Sequence, residues 1–152
     1  METSSLSILG MHEEINLPQL DIFQLKSKTD TGAYNSAIDC CYSEERETPD
    51  GQNILVFILL NKNHPQYTGK EHTTSSFKTK KVRSSNGIVT HRYQVKMYVQ
   101  INGHSFRTTF NLSNRSKMRF PTLLGRKLLG NRFIVDVTKN RNPKRINTTK
   151  SV

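Results

Sequence analysis

The stretch KSKTDTGAYNS, residues 26–36, holds the one Asp-Thr-Gly triplet of this 152-residue chain, formed by Asp30, Thr31 and Gly32. A carboxylate at a strand end, followed by a hydroxyl residue and a glycine, has the parts of an acid-base device. Glycine permits the turn and a close backbone approach, and threonine supplies a hydroxyl to lock it. When two such carboxylates lie about 3 Å apart they cannot both ionise, so they share one proton and titrate as a pair. One then activates water while the other protonates a carbonyl oxygen. That chemistry needs two carboxylates and the chain supplies one triplet. Taken alone, such a triplet is also a common plain turn.

A second element lies about ninety residues downstream: FPTLLGRKLLG, Phe120 to Gly130, reads as an apolar strand running into a glycine and a short helix, with Gly130 as its C-cap. Other chemistries find little support. The five histidines, His12, His64, His72, His91 and His104, are scattered, and the HEE at His12 lacks a second histidine at the spacing of a zinc motif. No protein-ligand set for a metal is visible. Neither a Walker sequence nor a dinucleotide fingerprint is present, so no cofactor is expected. Cys40 and Cys41 are adjacent, which excludes an ordinary intrachain disulfide framework; one packed and one half-exposed thiol is expected.

The elements that must position Asp30 are mostly strands. From Tyr93 to Ile101 apolar residues alternate with Arg92, Gln94, Lys96 and Gln100, although Tyr98 joins the polar side. Asn102-Gly103 follows, the preferred pair for a two-residue type I′ turn, and it fixes the register: Val99 faces Phe106, Met97 faces Thr108, Val95 faces Phe110 and Tyr93 faces Leu112. Asn86-Gly87, between FKTKKVR and IVTHRYQV, predicts a second hairpin with a polar tip. Strands are also expected in IFQLKSKTD, YNSAIDCC, NILVFILL and RFIVDV, with turns at ETPDGQ and NKNHPQYTGK. Many short strands and almost no helix predict an all-β barrel or sandwich.

Length and an apolar content of 34% suit one domain. That domain is expected over residues 1–137, with 138–152 a basic, loosely attached tail carrying five bases and no acid. The longest apolar run, Ile54 to Leu60, has seven residues, against the roughly 20 that a membrane-spanning helix needs, so no membrane partner is expected. The N-terminus shows no secretory pattern, which makes a cytoplasmic location the default expectation. The net charge of +11 is unevenly laid out: residues 1–50 hold ten acids against three bases, the remainder two acids against twenty bases. A basic second part calls for an acidic partner or substrate.

Together, DTGA and the downstream LLGRKLL resemble the retroviral-type aspartic proteases, the retropepsins. The fuller set, GMHEEINLP, KSKTDTGAYNSA, VRSSNG, HRYQV, NLSNRSKMRFPTLLGRKLL and FIVDV, is similar in order to a bacterial retropepsin-like family commonly labelled ATP-dependent zinc proteases, over about Leu9 to Val137. The resemblance implies a retropepsin-like closed half-barrel with one short helix after LLGR. It also implies an aspartic endopeptidase active as a homodimer, with Asp30, Thr31 and Gly32 from each subunit at the two-fold axis. Ala33 and Tyr34 would line the substrate groove, and the hairpin around Ser84, Ser85, Asn86 and Gly87 would form a flap over a bound strand-like peptide. The plain alternative for that hairpin is an exposed turn.

Where many retropepsins place a further Asp to pair with the Arg of the Gly-Arg motif, Tyr34 stands here, so Arg126 loses that expected partner. Arg83, Arg92, Arg115, Arg119 and Arg126 lie within or beside the family-like segments, and a cluster of them near the cleft would suit an acidic peptide; for each alone, a solvated strand face is the plain alternative. Relatives of the family are associated with ATP-grasp ligases that append amino acids, glutamates included, to proteins, which implies trimming of glutamate-rich products. The competing expectation is a non-catalytic binding module whose basic surface docks on RNA or an acidic protein. Aromatic RNA-reading motifs are absent, which makes nucleic acid the weaker partner.

Overall fold

A computed structural model of the protein describes residues 6–139; the N-terminal five residues, and all of the expected basic tail beyond Lys139, lie outside the described residues. Eleven strands and one short helix follow in the order β1 (Ser7–Leu9), β2 (His12–Leu17), β3 (Ile22–Thr29), β4 (Ser36–Glu47), β5 (Asn53–Leu59), β6 (His72–Thr74), β7 (Phe77–Arg83), β8 (Val89–Ile101), β9 (His104–Ser113), β10 (Thr122–Leu124), α1 (Arg126–Leu129) and β11 (Phe133–Val135). A single 3-10 turn, Pro18–Leu20, joins β2 to β3.

The sheet runs β10-β3-β2-β8-β9-β4-β5-β6, and β10 also pairs with β4, so β10, β3, β2, β8, β9 and β4 close into a barrel. The fold is the all-β closed barrel that the sequence predicts. Its centre is built by alternation: Val95, Met97, Val99 and Ile101 of β8 point inward against Phe110 and Leu112 of β9, Leu25 of β3, Ile38 of β4 and Leu124 of β10. The β8–β9 register is the expected one, with Val99 opposite Phe106, Met97 opposite Thr108, Val95 opposite Phe110 and Tyr93 opposite Leu112. Asn102 and Gly103 both take positive φ, 48° and 80°, as a type I′ turn requires.

The second hairpin, β7–β8, closes differently. Gly87 N–H donates to the Ser84 carbonyl at 2.9 Å, Ser84 N–H donates to the Ile88 carbonyl at 2.9 Å, and Gly87 holds a φ of 83°. That is a three-residue loop with the glycine in the left-handed position. Strands β1 and β11 pair in parallel as a separate two-stranded sheet, with Ile8 beside Ile134.

The helix follows LLGR as expected and spans one turn. Gly130 is its C-cap, but with φ −60°; the left-handed residue is Asn131, at 65°. Among the described residues no helix is long and apolar enough to cross a membrane. Strand β4 runs on to Glu47, beyond the expected end at Cys41, because its charged second half is paired residue by residue with β5.

The two thiols divide as expected: Cys40 is buried and Cys41 exposed, both free. Burial pushes the Cys40 thiol up to about 11, which keeps it protonated and unreactive. Iodoacetamide at pH 8 should therefore label one thiol per folded chain, at Cys41, and two in urea. Peptide mapping checks this, and equal labelling of Cys40 in the folded protein would contradict it.

Candidate functional site

The site is assembled at one end of the barrel, where β3 stops. Thr29, the last residue of β3, is buried; its N–H donates to the Met11 carbonyl at 3.0 Å and its Oγ1 to the Gly10 carbonyl at 3.0 Å. The Gly10 N–H in turn donates to the buried Glu13 Oε2 at 2.6 Å. Beyond it, the parallel β3–β10 ladder carries one residue further, since Asp30 N–H donates to the Leu124 carbonyl at 2.9 Å.

The chain then turns sharply. Ala33 N–H donates to the Asp30 carbonyl at 3.2 Å, and Gly32 N–H donates to Asp30 Oδ1 at 3.0 Å. The Gly32 bond fixes the carboxylate's rotation. Asp30 is half-buried and Thr31 and Gly32 are exposed, so the carboxylate is rigidly held yet open to a ligand.

LLGR buttresses this loop from beneath. The exposed donors at the start of α1 are met by the loop's carbonyls: Arg126 N–H donates to Ala33 at 2.8 Å and Lys127 N–H to Tyr34 at 2.9 Å. Gly125 N–H donates to Ser36 Oγ at 3.0 Å. A Cβ at Gly125 would sit 2.6 Å from the Asn35 carbonyl oxygen, so glycine is required by close approach, with no positive φ involved.

Arg126, deprived of the Asp that the resemblance led one to expect, has other partners. Its Nη1 donates to the Thr31 carbonyl at 3.1 Å, and its guanidinium carbon lies 5.7 Å from the Tyr34 ring centroid. Tyr34 itself is 56% exposed. The Tyr-for-Asp difference thus exchanges an ion pair for a cation–π contact.

A second carboxylate lies close by in the fold. Asp39 of β4 is 1% exposed; its Oδ1 accepts from Arg115 N–H at 2.7 Å and its Oδ2 from Asn61 Nδ2 at 3.0 Å. Its own N–H donates to the Pro121 carbonyl and its carbonyl accepts from Leu60 N–H, both at 2.8 Å. One buried residue therefore ties β4, the segment after β5 and the β9–β10 connection together. Arg115 Nε donates to the Phe120 carbonyl at 3.1 Å. Burial lowers the Arg115 pKa, against the opposing pull of the negative charges of Asp39 and then Asp30. Asp39→Asn should cost about 1–2 kcal/mol, because an amide NH2 must then face one of two donors; urea unfolding measures it, and an unchanged midpoint would contradict the clamp.

Of the residues expected at the site, Asp30, Thr31, Gly32, Ala33, Tyr34 and Arg126 are brought into one cluster, and Arg115 lies within electrostatic reach of Asp30. Arg83, Ser84, Ser85, Asn86, Gly87 and Arg92 stand together on the exposed end of the β7–β8 hairpin, held by bonds within that hairpin. Glu13, Ser36, Asp39 and Asn61 were not foreseen. An acid set between apolar residues, as in Ala37-Ile38-Asp39-Cys40, is the one signal that could have marked Asp39 as a buried clamp. Among the described residues no group of three or more His, Cys, Asp or Glu is arranged to hold a metal ion.

The profile of a family described as RimB-like, retropepsin-like aspartic endopeptidase RimB, matches residues 8–145. Curated relatives include a "Probable alpha-L-glutamate ligase" of Shewanella halifaxensis, 26% identical over 137 residues, covering 88% of this chain. A protein of the same name from Desulfotalea psychrophila is 26% identical over 129 residues, covering 85% of this chain. The chain spans 29% and 28% of the length of these two relatives. Among solved structures, the Legionella pneumophila protein Lpg0085, of unknown function, superposes with a TM-score of 0.66 at 23% identity, covering 91% of this chain and 98% of that one.

Proposed function

Since the chain belongs to the RimB-like family of retropepsin-like aspartic endopeptidases, we propose that it is an aspartic peptidase whose working form is a homodimer acting on extended, glutamate-rich polypeptide. The observation that carries this reading is the presentation of Asp30: a half-buried carboxylate, fixed by the Gly32 N–H and by the β3–β10 ladder, at the open end of the barrel.

One chain offers one such carboxylate, so the second comes from a two-fold-related copy. The paired carboxylates then hold one proton between them. The ionised member takes a proton from water as the water oxygen adds to the scissile carbonyl carbon, and the protonated member gives its proton to the carbonyl oxygen. Collapse of the tetrahedral species breaks the C–N bond, and the proton taken from water passes to the leaving amine. Thr31 and Gly32 hold the loops, Ala33 and Tyr34 border the groove, and the Ser84–Gly87 tip closes over the peptide.

Two further features support the reading. Leu6, Ile8, Ile134 and Val137 are exposed by 43%, 42%, 52% and 68% on or beside β1 and β11, and Ile8 and Ile134 are register neighbours; such an apolar strip suits a second copy. The acidic substrate follows from the charge of residues 51–152, twenty bases against two acids, and from the glutamate-joining activity in the relatives' name. Arg115 and Arg126, with Arg83 and Arg92 on the hairpin, would supply the pairing charges.

The test is incubation of the purified chain with a glutamate-tailed protein and a panel of unrelated peptides, with and without chelator, beside sedimentation to fix its mass. Fragments confined to the acidic substrate and indifferent to chelator are expected. A dimer that cuts none of them would overturn the peptidase reading in favour of a binding module.

A further inference from the structure

On the outer wall of the barrel a cleft of about 270 Å³ is bordered by Lys78 of β7, Gln94 and Lys96 of β8, Thr109 of β9 and Lys127 of α1. We propose that this cleft is a second binding site, outside the catalytic groove, that takes the side-chain carboxylates of an extended acidic polypeptide. The proposal rests on the reading of the substrate as glutamate-rich and assigns where that substrate is gripped away from the bond to be cut.

Three lysines from three elements meet at one cleft because of register. Lys78 pairs with Gln94 and Lys96 with Thr109, so these four share the outward face of the sheet, opposite the inward Val95 and Phe77. Lys127 reaches the same cleft from α1, next to the Arg126 that braces the Asp30 loop. No acidic residue occurs between Glu71 and Asp136, and no carboxylate lines the cleft. Three lysines thus border one cleft with no carboxylate in its lining, an arrangement that favours an anion.

The geometry favours a polypeptide. The outward face continues from Lys78 and Gln94 to the next pair, Lys80 and Arg92, and so towards the Ser84–Gly87 tip. Same-face residues of a strand repeat at about 6.7 Å, which is also the same-face repeat of an extended peptide, so alternate glutamates can meet successive cations. One aromatic residue, Phe77, lines the cleft, and its ring is half-buried against the core and edge-on to Tyr93. Base stacking, the main grip on single-stranded nucleic acid, has little platform there.

The test uses full-length Asp30→Asn protein, which binds without cutting, and a fluorescein-labelled ten-glutamate peptide followed by anisotropy. Lys78→Gln/Lys96→Gln/Lys127→Gln should weaken binding about tenfold, three charge-assisted contacts being lost. Lys26→Gln/Lys62→Gln/Lys70→Gln, with the same change in net charge, should weaken it by less than about twofold. Equal losses in the two variants would reduce the effect to overall charge and overturn the site. Tighter, lysine-dependent binding of a ten-nucleotide oligothymidylate would overturn it in favour of nucleic acid. Should the triple variant fold poorly, Lys127→Gln alone should still cost about twofold, and no change would count against the site. Cleavage is scored separately with unsubstituted protein. Lysine-dependent binding without cleavage sinks the peptidase reading alone, and cleavage with lysine-independent binding sinks the cleft alone.

Discussion

Asp30→Asn should lower cleavage of a glutamate-tailed protein by about 10³-fold or more while leaving the melting temperature nearly unchanged. The amide is isosteric with the carboxylate, and its oxygen can still accept the Gly32 N–H that Asp30 Oδ1 accepts at 3.0 Å. The loop is therefore preserved; what is lost is the group that takes and returns a proton. Mixing gives a sharper result. If subunits exchange freely, equal amounts of wild-type and Asp30→Asn chains leave about one quarter of the dimers with two carboxylates, so activity falls to about half that of the same wild-type chains left unmixed. Activity unaffected by mixing would mean that each chain works alone. Full cleavage by the pure variant would remove Asp30 from the chemistry altogether.

The second large effect is expected from Gly125→Ala. The added methyl would lie 2.6 Å from the Asn35 carbonyl oxygen and 2.7 Å from that of Tyr34. Both are backbone atoms of the segment that runs from the Asp-Thr-Gly turn into β4, so no side-chain rotation relieves the contact. A loss of about 3 kcal/mol is expected by denaturant unfolding, with activity falling alongside because Arg126 and Lys127 lose their hold on the loop. Gly51→Ala provides the contrast. Gly51 has a φ of 88°, and nothing lies within 4 Å of the place its methyl would take, so only the left-handed backbone is penalised, by about 1–2 kcal/mol. Equal costs at the two positions would mean that the tight seat of LLGR against the loop is not what stabilises it.

Much of this was legible in advance because it is local. The β8–β9 hairpin depends on a two-residue turn and on alternation, both of which stand in consecutive residues, and its register followed to the residue. The cluster of Asp30, Thr31, Gly32, Tyr34 and Arg126 was legible through two short motifs. The parts that escaped depend on partners distant in sequence. Strand β2, His12–Leu17, carries two acids and reads as polar, yet Glu13 is 5% exposed and accepts the Gly10 N–H. Asp39 looks like a charge in a strand until Asn61 and the Arg115 amide are seen around it. The second half of β4, Ser43 to Glu47, has no apolar alternation, and its strand form comes from pairing with β5. The Tyr34–Arg126 contact needed the relative placement of a turn and a helix that no periodicity encodes.

The three residues of β10 close the barrel, with Thr122 paired to Ser27 on one side and to Ile38 on the other. During synthesis, β3 and β4 leave the ribosome long before this keystone, so their facing edges wait unpaired while most of the chain is still being made. Pairings this distant delay the reward for closing a loop, which places folding in the slow regime of about milliseconds to seconds. The Asp30 turn shares the delay, since its amide is held by Leu124 and its following carbonyls by Arg126 and Lys127. A nascent chain that has not yet presented Arg126 lacks the braces that set the carboxylate, so the Asp30 loop takes its final form only after α1 has been made.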